Sequence, residues 1–242
     1  MKLSNNKIFI TGGATGIGLG LTERFIKEDN IVLICGRRES ALKAVTANYP
    51  TVITYVCDLS KAEERERLYQ LISTEHPDLN VLINNAGIQQ DLSITDSDFY
   101  QQAKEELAIN IEAPMHLTSL FGNMGSLTTI MNVSSGLAFA PMSRMPVYCA
   151  SKAFIHSFTL SLRHVLKPRN IEVIEIIPPA LNTDLGGVGK HDYATPVEEF
   201  MHAVFDQLKD LKTEISYGFS EGMLHSGPEG LQKAFERMNP VT

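Results

Sequence analysis

Short apolar runs alternate with longer amphipathic stretches along most of the chain. Residues 7–11 (K-I-F-I-T), 31–35, 52–56, 81–84, 127–133 and 171–177 are mostly rich in β-branched side chains and are bounded by Gly, Pro, Asn or Asp, so they read as strands. Between them, apolar positions recur at helical spacing near 17–29, 39–48, 61–75, 97–121 and 147–167. Ser60 and Glu63 stand at capping-box spacing at the head of the third of these. A seventh strand is predicted through 214–217 and a last helix near 228–237. Alternation of this kind builds βαβ units, hence an α/β, doubly wound, mainly parallel seven-stranded sheet with helices on both faces. No repeat or low-complexity linker interrupts residues 1–242, which predicts one domain, with its ligand at the carboxyl ends of the strands.

Composition narrows the function classes. With 21 Lys and Arg against 28 Asp and Glu, the net charge of −7 speaks against nucleic acid, whose binding rests on neutralising phosphates. No apolar run is long enough for a membrane span, and the first residues lack a signal-peptide core. Cys35, Cys57 and Cys149 form no C-x-x-C pair and no disulfide framework, so a reducing, cytoplasmic compartment is expected. The seven His are scattered without metal-ligand spacing, and no metal is expected. Cys149 reads as a small packed residue rather than a nucleophile.

Two local features carry chemistry. The first strand ends in T-G-G-A-T-G-I-G (11–18) and opens a helix. Glycines there permit a tight turn and close approach of a ligand, and the helix N-terminus suits a pyrophosphate. The second is Y-C-A-S-K, which places Tyr148 and Lys152 one helical turn apart on one face. Spacing alone does not single it out, because Tyr100 and Lys104 (Y-Q-Q-A-K) match as well.

T-G-G-A-T-G-I-G, N-N-A-G (84–87), N-V-S-S (132–135) and Y-C-A-S-K, in that order, resemble the short-chain dehydrogenase/reductase superfamily in its compact, single-domain branch. The resemblance spans about residues 5–185 and implies a Rossmann-like fold and an oxidoreductase. In that family a serine closes the fifth strand thirteen residues before the catalytic tyrosine. This falls on Ser135 for Tyr148, whereas the residue thirteen before Tyr100 is Gly87. Tyr148 is therefore the acid–base candidate. The G-F-S-E run (218–221) and I-I-P-P (176–179) are similar to a subgroup named for an association with D-alanyl-lipoteichoic acid synthesis.

The residue types suit carbonyl reduction. A free phenol has a pKa near 10, and a neighbouring ammonium is expected to draw it towards the working range. Tyr148 would donate the proton, and Lys152 would tune it and, by the family pattern, hold the nicotinamide ribose. Ser135 would stabilise the substrate oxygen. Asn110 matches the family Asn that anchors a water leading to the lysine, although an Asn near Pro114 equally suits a helix kink.

The same resemblance implies cofactor contacts at Gly12, Thr15, Gly16, Ile17 and Gly18. It adds Asp58 and Leu59 at adenine, with helix initiation the rival role of Asp58. Asn85, Ala86 and Gly87 fall beside the adenine ribose, with sheet bracing as a parallel role. Pro178, Leu181 and Thr183 fall by the carboxamide, where Pro179 stands in place of the usual Gly. The second strand ends without a carboxylate, at Gly36 followed by Arg37 and Arg38. Either these arginines clamp a 2′-phosphate or they are solvated; the former predicts NADP(H) as preferred cofactor, with NAD(H) left open.

Substrate identity is not written in these motifs. Leu137, Phe139, Met142 and Met145 offer an apolar lining, with Arg144 either a carboxylate partner or a solvated charge. Gly186, Gly187 and Gly189 predict a substrate lid near 184–195. The resulting expectation is an NADP(H)-dependent oxidoreductase of a small carbonyl/alcohol pair. Its alternatives are a reductase of carrier-bound 3-oxoacyl groups and a non-catalytic, cofactor-binding regulatory protein. The family habit adds a homodimer or homotetramer built on the helices near 97–121 and 147–167.

Overall fold

The computed structural model describes residues 1–240. Its strands are β1 (Lys7–Thr11), β2 (Ile31–Gly36), β3 (Ile53–Val56), β4 (Val81–Asn84), β5 (Thr129–Val133), β6 (Glu172–Ile177) and β7 (Glu214–Ser216). They form one sheet in the order β3-β2-β1-β4-β5-β6-β7, with every neighbouring pair parallel. The order reverses between β1 and β4, and that is where a doubly wound sheet opens a crevice at its carboxyl edge.

Strand residues alternate between two cores. Ile8, Ile10, Val32, Ile34, Ile83 and Ile174 pack on one face under α1 (Gly16–Lys27), α2 (Glu39–Asn48) and α7 (Val197–Lys209). Phe9, Leu33, Leu82, Ile130 and Val173 pack on the other, under α3 (Ala62–Glu75) and α5 (Ala113–Phe121). Because both faces are covered, the central strands are continuous apolar runs rather than alternating ones. Aromatic pairs tie helices to the cores: Phe25 meets Phe205 edge-on at 4.8 Å, and Phe9 lies 5.4 Å from Phe121.

One sequence expectation is refined, one is corrected, and two helices were missed. The expected helix near 97–121 runs without interruption from Phe99 to Phe121, as α4 (Phe99–Leu107), a wide turn at Ala108–Glu112 and α5. In the wide turn the Ala113 N–H reaches back five residues to the Ala108 carbonyl. Pro114 lacks an N–H and sits in the first turn of α5, so the wide turn accommodates a donor the helix lacks. The Ser60–Glu63 capping box does not form. Asp58 takes its place, accepting from the Ser60 N–H and hydroxyl at 3.1 and 2.8 Å, while Glu64 accepts from the Asp58 N–H at 2.7 Å. Helix α7 was not foreseen, although Phe200, Met201, Val204, Phe205 and Leu208 recur at helical spacing and are all buried. Nor was the short α8 (Phe219–Leu224), which precedes α9 (Pro228–Met238).

Buried polar side chains link the strands to α6 (Pro146–Val165). Asn84 donates to Asn132 at 2.9 Å and to Thr118 at 3.1 Å, and Asn132 donates to Thr159 on α6 at 2.9 Å. Further along, Glu175 on β6 is inaccessible to solvent and accepts from the Ser134 hydroxyl at 2.5 Å and from His156 Nδ1 at 2.9 Å. One carboxylate thereby fixes the end of β5 to the face of α6.

The Glu175 hydrogen bond raises the His156 pKa, against the opposing effect of partial burial. A pKa raised by folding contributes stability that is full below the unfolded value, near 6.5, and is lost as pH rises through the folded value. His156→Gln is therefore expected to lower stability by about 1 kcal/mol at pH 5.5, near the low end for charge-assisted bonds because the ring is partly exposed. At pH 8.5 the deficit should shrink by more than half. Urea midpoints of the two proteins at both pH values check this; a deficit that grows with pH would contradict it.

Candidate active site

The carboxyl edge of the sheet opens into a cleft of about 740 Å³. Of the residues singled out in the sequence, Gly12, Thr15, Gly16, Ile17, Arg37, Arg38, Leu59, Asn85, Ala86, Gly87, Ser135, Tyr148, Lys152, Pro178, Leu181 and Thr183 line it. Phe139, expected in the apolar lining, does not, and meets the His156 ring edge-on at 4.7 Å instead; of the catalytic and cofactor candidates, three do not: Gly18, Asp58 and Asn110 lie behind its wall.

Each of the three has a physical reason. Gly18 sits on α1 over the β1 turn, where an added Cβ would lie 2.1 Å from the Gly12 carbonyl oxygen, so this glycine exists for packing. Asp58 is turned into the Ser60 hydrogen bonds already described, which is its helix-initiating role; its neighbours Cys57 and Leu59 face the cleft. Asn110 occupies the wide turn as a brace. Its Oδ1 accepts from the Ile88 N–H at 2.9 Å, and its Nδ2 donates to the Ile88 carbonyl at 2.8 Å and to Ser151 Oγ at 3.1 Å. It thus joins the loop after β4 to the residue beside Lys152.

The glycine loop is built as an anion cradle. Gly12 holds φ +65° and carries the chain from β1 into the turn. Thr15 caps α1 with extended backbone and no side-chain hydrogen bond, and the first turn of α1 contains no acidic residue. The positive end of the helix dipole therefore faces the cleft unneutralised. Asn85 supports this loop by donating to the Thr11 carbonyl at 2.9 Å, and the Thr11 hydroxyl accepts from the N–H groups of Asn85 and Ala86 at 3.0 Å each. Asn85 both braces the sheet and lines the cleft.

Further along, Ser135, Tyr148 and Lys152 converge. Ser135 follows the end of β5 by two residues in extended conformation, and its Oγ accepts from the Leu137 N–H at 3.1 Å. Tyr148 and Lys152 are buried on α6, with Lys152 Nζ 5.6 Å from the Tyr148 ring centroid and donating to the Val133 carbonyl at 2.9 Å. Burial pushes the Tyr148 phenol above its ordinary value, and the Ser135 hydroxyl partly offsets this. The downward pull expected from Lys152 is not what dominates here. Burial likewise lowers Lys152, to about 8, with Glu106 opposing.

Tyr100 and Lys104 are elsewhere. Tyr100 is exposed on α4, with the Lys104 ammonium 5.0 Å from its ring centroid, and neither lines the cleft. Cys149 is buried, with its sulfur 3.3 Å from the Met142 N–H, a packed residue holding the loop before α6.

At the β2 end of the cleft, Arg37 and Arg38 line it, and Arg37 pairs with Glu105 at 3.3 Å with both side chains about half exposed. Glu105 was not anticipated. Nor were Phe219 and Met238 at the other end of the cleft, whereas Gln89 and Gln90 fall in the run 88–93, and His191 and Tyr193 in 184–193, both of which the sequence marks as surrounding the substrate. The buried Glu106 was also missed, and its helical spacing to Asn110, one turn later, was the available signal. Among the described residues no group of three His, Cys, Asp or Glu is placed to hold a metal ion, and no helix is long and apolar enough to cross a membrane.

Comparison with known proteins agrees with this architecture. The chain is 39% identical over 253 aligned residues to an uncharacterized oxidoreductase, DltE, of Bacillus subtilis, covering 99% of this chain and 98% of the relative. A short chain dehydrogenase from Burkholderia cenocepacia, solved in complex with NADP, has the same fold, with a TM-score of 0.82, 22% identity and full coverage of both chains. A 3-ketoacyl-(acyl-carrier-protein) reductase from Brucella melitensis, solved with NADH, aligns with a TM-score of 0.80 and 21% identity over 90% of this chain and all of the other. The short chain dehydrogenase family model matches residues 6–193, and the chain is a member of that family, an oxidoreductase of the group to which DltE belongs.

Proposed function

We propose that the protein is an NADP(H)-dependent oxidoreductase that interconverts a small carbonyl compound and its alcohol, with Tyr148 as the acid–base group. The observation that carries this reading is the convergence of Ser135, Tyr148 and Lys152 in the same cleft as the glycine cradle. The cradle fits a dinucleotide on its own geometry: an open helix N-terminus, a positive-φ glycine and no acid in the first turn. Gly12, Thr15, Gly16 and Ile17 would hold the pyrophosphate. Leu59 and Ala86 would flank the adenosine, and Leu181 and Thr183 the carboxamide. When bound, the nicotinamide supplies or accepts the hydride.

The chain's own residues do the rest. Ser135 Oγ donates to the substrate oxygen as charge develops there. The Tyr148 phenol, kept protonated by its burial, delivers the proton in reduction. Lys152 adds positive charge beneath it. Asn110 holds Ile88 and Ser151, and so keeps both walls of this end in register. Residues 184–195 serve as a lid, with Gly186, Gly187 and Gly189 at positive φ and Lys190 fastened to Asp91 at 3.0 Å. Exposed apolar side chains on α5 and α6, such as Met115 and Leu160, suit pairing with a second copy as homodimer or homotetramer.

Tyr148→Phe is expected to lose nearly all carbonyl reduction, followed by NADPH absorbance across a substrate panel, while still binding NADPH; Tyr100→Phe should match the parent. Comparable turnover in Tyr148→Phe would remove the mechanism.

Cofactor choice rests on Arg37, because β2 ends without a carboxylate and a guanidinium clamps phosphate with paired bonds. Its exposed pair with Glu105 is weak enough for a 2′-phosphate to displace. NADPH should bind roughly ten- to a hundredfold tighter than NADH, the range of one charge-assisted contact. Arg37→Ala should erase most of that difference, and Glu105→Gln should tighten NADPH while leaving NADH unchanged. Equal dissociation constants in the parent, by fluorescence titration, would sink the assignment.

Hydrogen exchange across 184–195 is expected to slow when NADPH and substrate are both present. Full protection in the unliganded protein would exclude the lid.

A further inference from the structure

Glu106 has no place in the mechanism above, yet its environment is unusual. It is completely inaccessible to solvent on α4, one turn before Asn110. Its Oε1 accepts from the Gln90 N–H at 3.2 Å, and its Oε2 is buried with no partner among the described residues. A buried carboxyl with a single hydrogen bond is costly to keep, and an apolar residue would fill that helix position without the penalty. Glu106 does not line the cleft. It lies on α4, which packs against the α6 helix carrying Tyr148, Cys149 and Lys152, so that a negative charge at Glu106 favours the protonated form of all three.

We propose that Glu106 is a positioning residue that acts through Lys152: a buried counter-ion that holds the Lys152 ammonium and the Tyr148 phenol in their protonated forms, and so keeps the site in the state that carbonyl reduction needs. The inference rests on the reading of Tyr148 as proton donor. Burial works against an ammonium at Lys152, whose only hydrogen-bond acceptor among the described residues is the uncharged Val133 carbonyl. A carboxylate behind it opposes that loss. The same negative charge disfavours phenolate at Tyr148, so one group supports both protonated partners. Glu106 is itself pushed up by burial to about 7, with the Gln90 N–H and Lys152 opposing. The two groups are therefore coupled, and their protons leave in two macroscopic steps.

The test follows Lys152 directly, by NMR of protein labelled with ¹³C at the lysine ε-carbons, the signal being assigned by its loss in Lys152→Arg. In the parent, the Lys152 signal should titrate in two steps, the first near the Glu106 value and the second its own. In Glu106→Gln the first step should vanish and the second should fall by about one pH unit or more; Glu106→Asp should restore both steps. The alkaline limb of kcat/KM for NADPH-dependent reduction should move down by the same amount in Glu106→Gln, with the dissociation constant for NADPH at pH 6 unchanged. A single-step titration in the parent, or the same lysine step in parent and Glu106→Gln, overturns the proposal. Should Glu106→Gln fail to fold by circular dichroism, the parent titration and Glu106→Asp still decide. A parent that reduces no carbonyl compound defeats the reading of function instead, and the titration continues to judge Glu106 alone.

Discussion

A buried ammonium constrains everything around it. Lys152 is only 6% exposed, and charge at that depth persists only with acceptors and opposite charge supplied by the fold. The Val133 carbonyl is available because β5 ends there, freeing an oxygen that the sheet does not use. Asn110 holds Ser151, the residue next to Lys152, so α6 cannot rotate without breaking its link to the loop after β4. The wide turn at Ala108–Glu112 is what lets Asn110 face both ways. Helix bulge, strand ending and buried charge are one arrangement seen from three sides.

The sheet makes that arrangement repeatable. Parallel strands with both faces covered leave α6 against β5 and β6, and buried side chains lock its rotation: Asn132 to Thr159, and Glu175 to His156. Two contact points along the helix axis, together with Lys152 to Val133, determine where Tyr148 sits relative to Ser135. Glycine performs the matching task at the other end, where Gly18 admits the Gly12 carbonyl to a distance no side chain would allow.

Much of this was legible in the sequence because its signals are local. Strand runs, the glycine turn and the Ser135–Tyr148–Lys152 spacing each lie within a few residues or at a fixed separation, and the choice of Tyr148 over Tyr100 needed only the serine thirteen residues earlier. What was missed depends on contacts between distant segments. Helix α7 had a clear apolar stripe, but it follows a glycine-rich segment read as lid. The capping box was displaced because Asp58, two residues earlier, captured the Ser60 donors first. Nothing local in the sequence separates Glu106 from Glu105; its burial and its bond with the Gln90 N–H distinguish it from that exposed neighbour.

The two ends of the cleft differ in how they are made, and that difference explains which end a sequence can announce. The cofactor end is built at strand termini, where backbone geometry dictates glycine, small residues and a helix start. The substrate end is assembled from Gln89 and Gln90, Met142 and Arg144, His191 and Tyr193, with Phe219 and Met238 reaching in from α8 and α9. Those last helices pack through Met223, Leu231 and Ala234 onto Phe139 and Ala140, which follow Ser135 in the chain. A substitution in the packing of α8 or α9 therefore reshapes the substrate end while leaving the glycine cradle untouched. The proposed chemistry is held by the sheet, and the shape of the opposite end of the cleft by the C-terminal helices leaning on the turn beside the catalytic serine candidate.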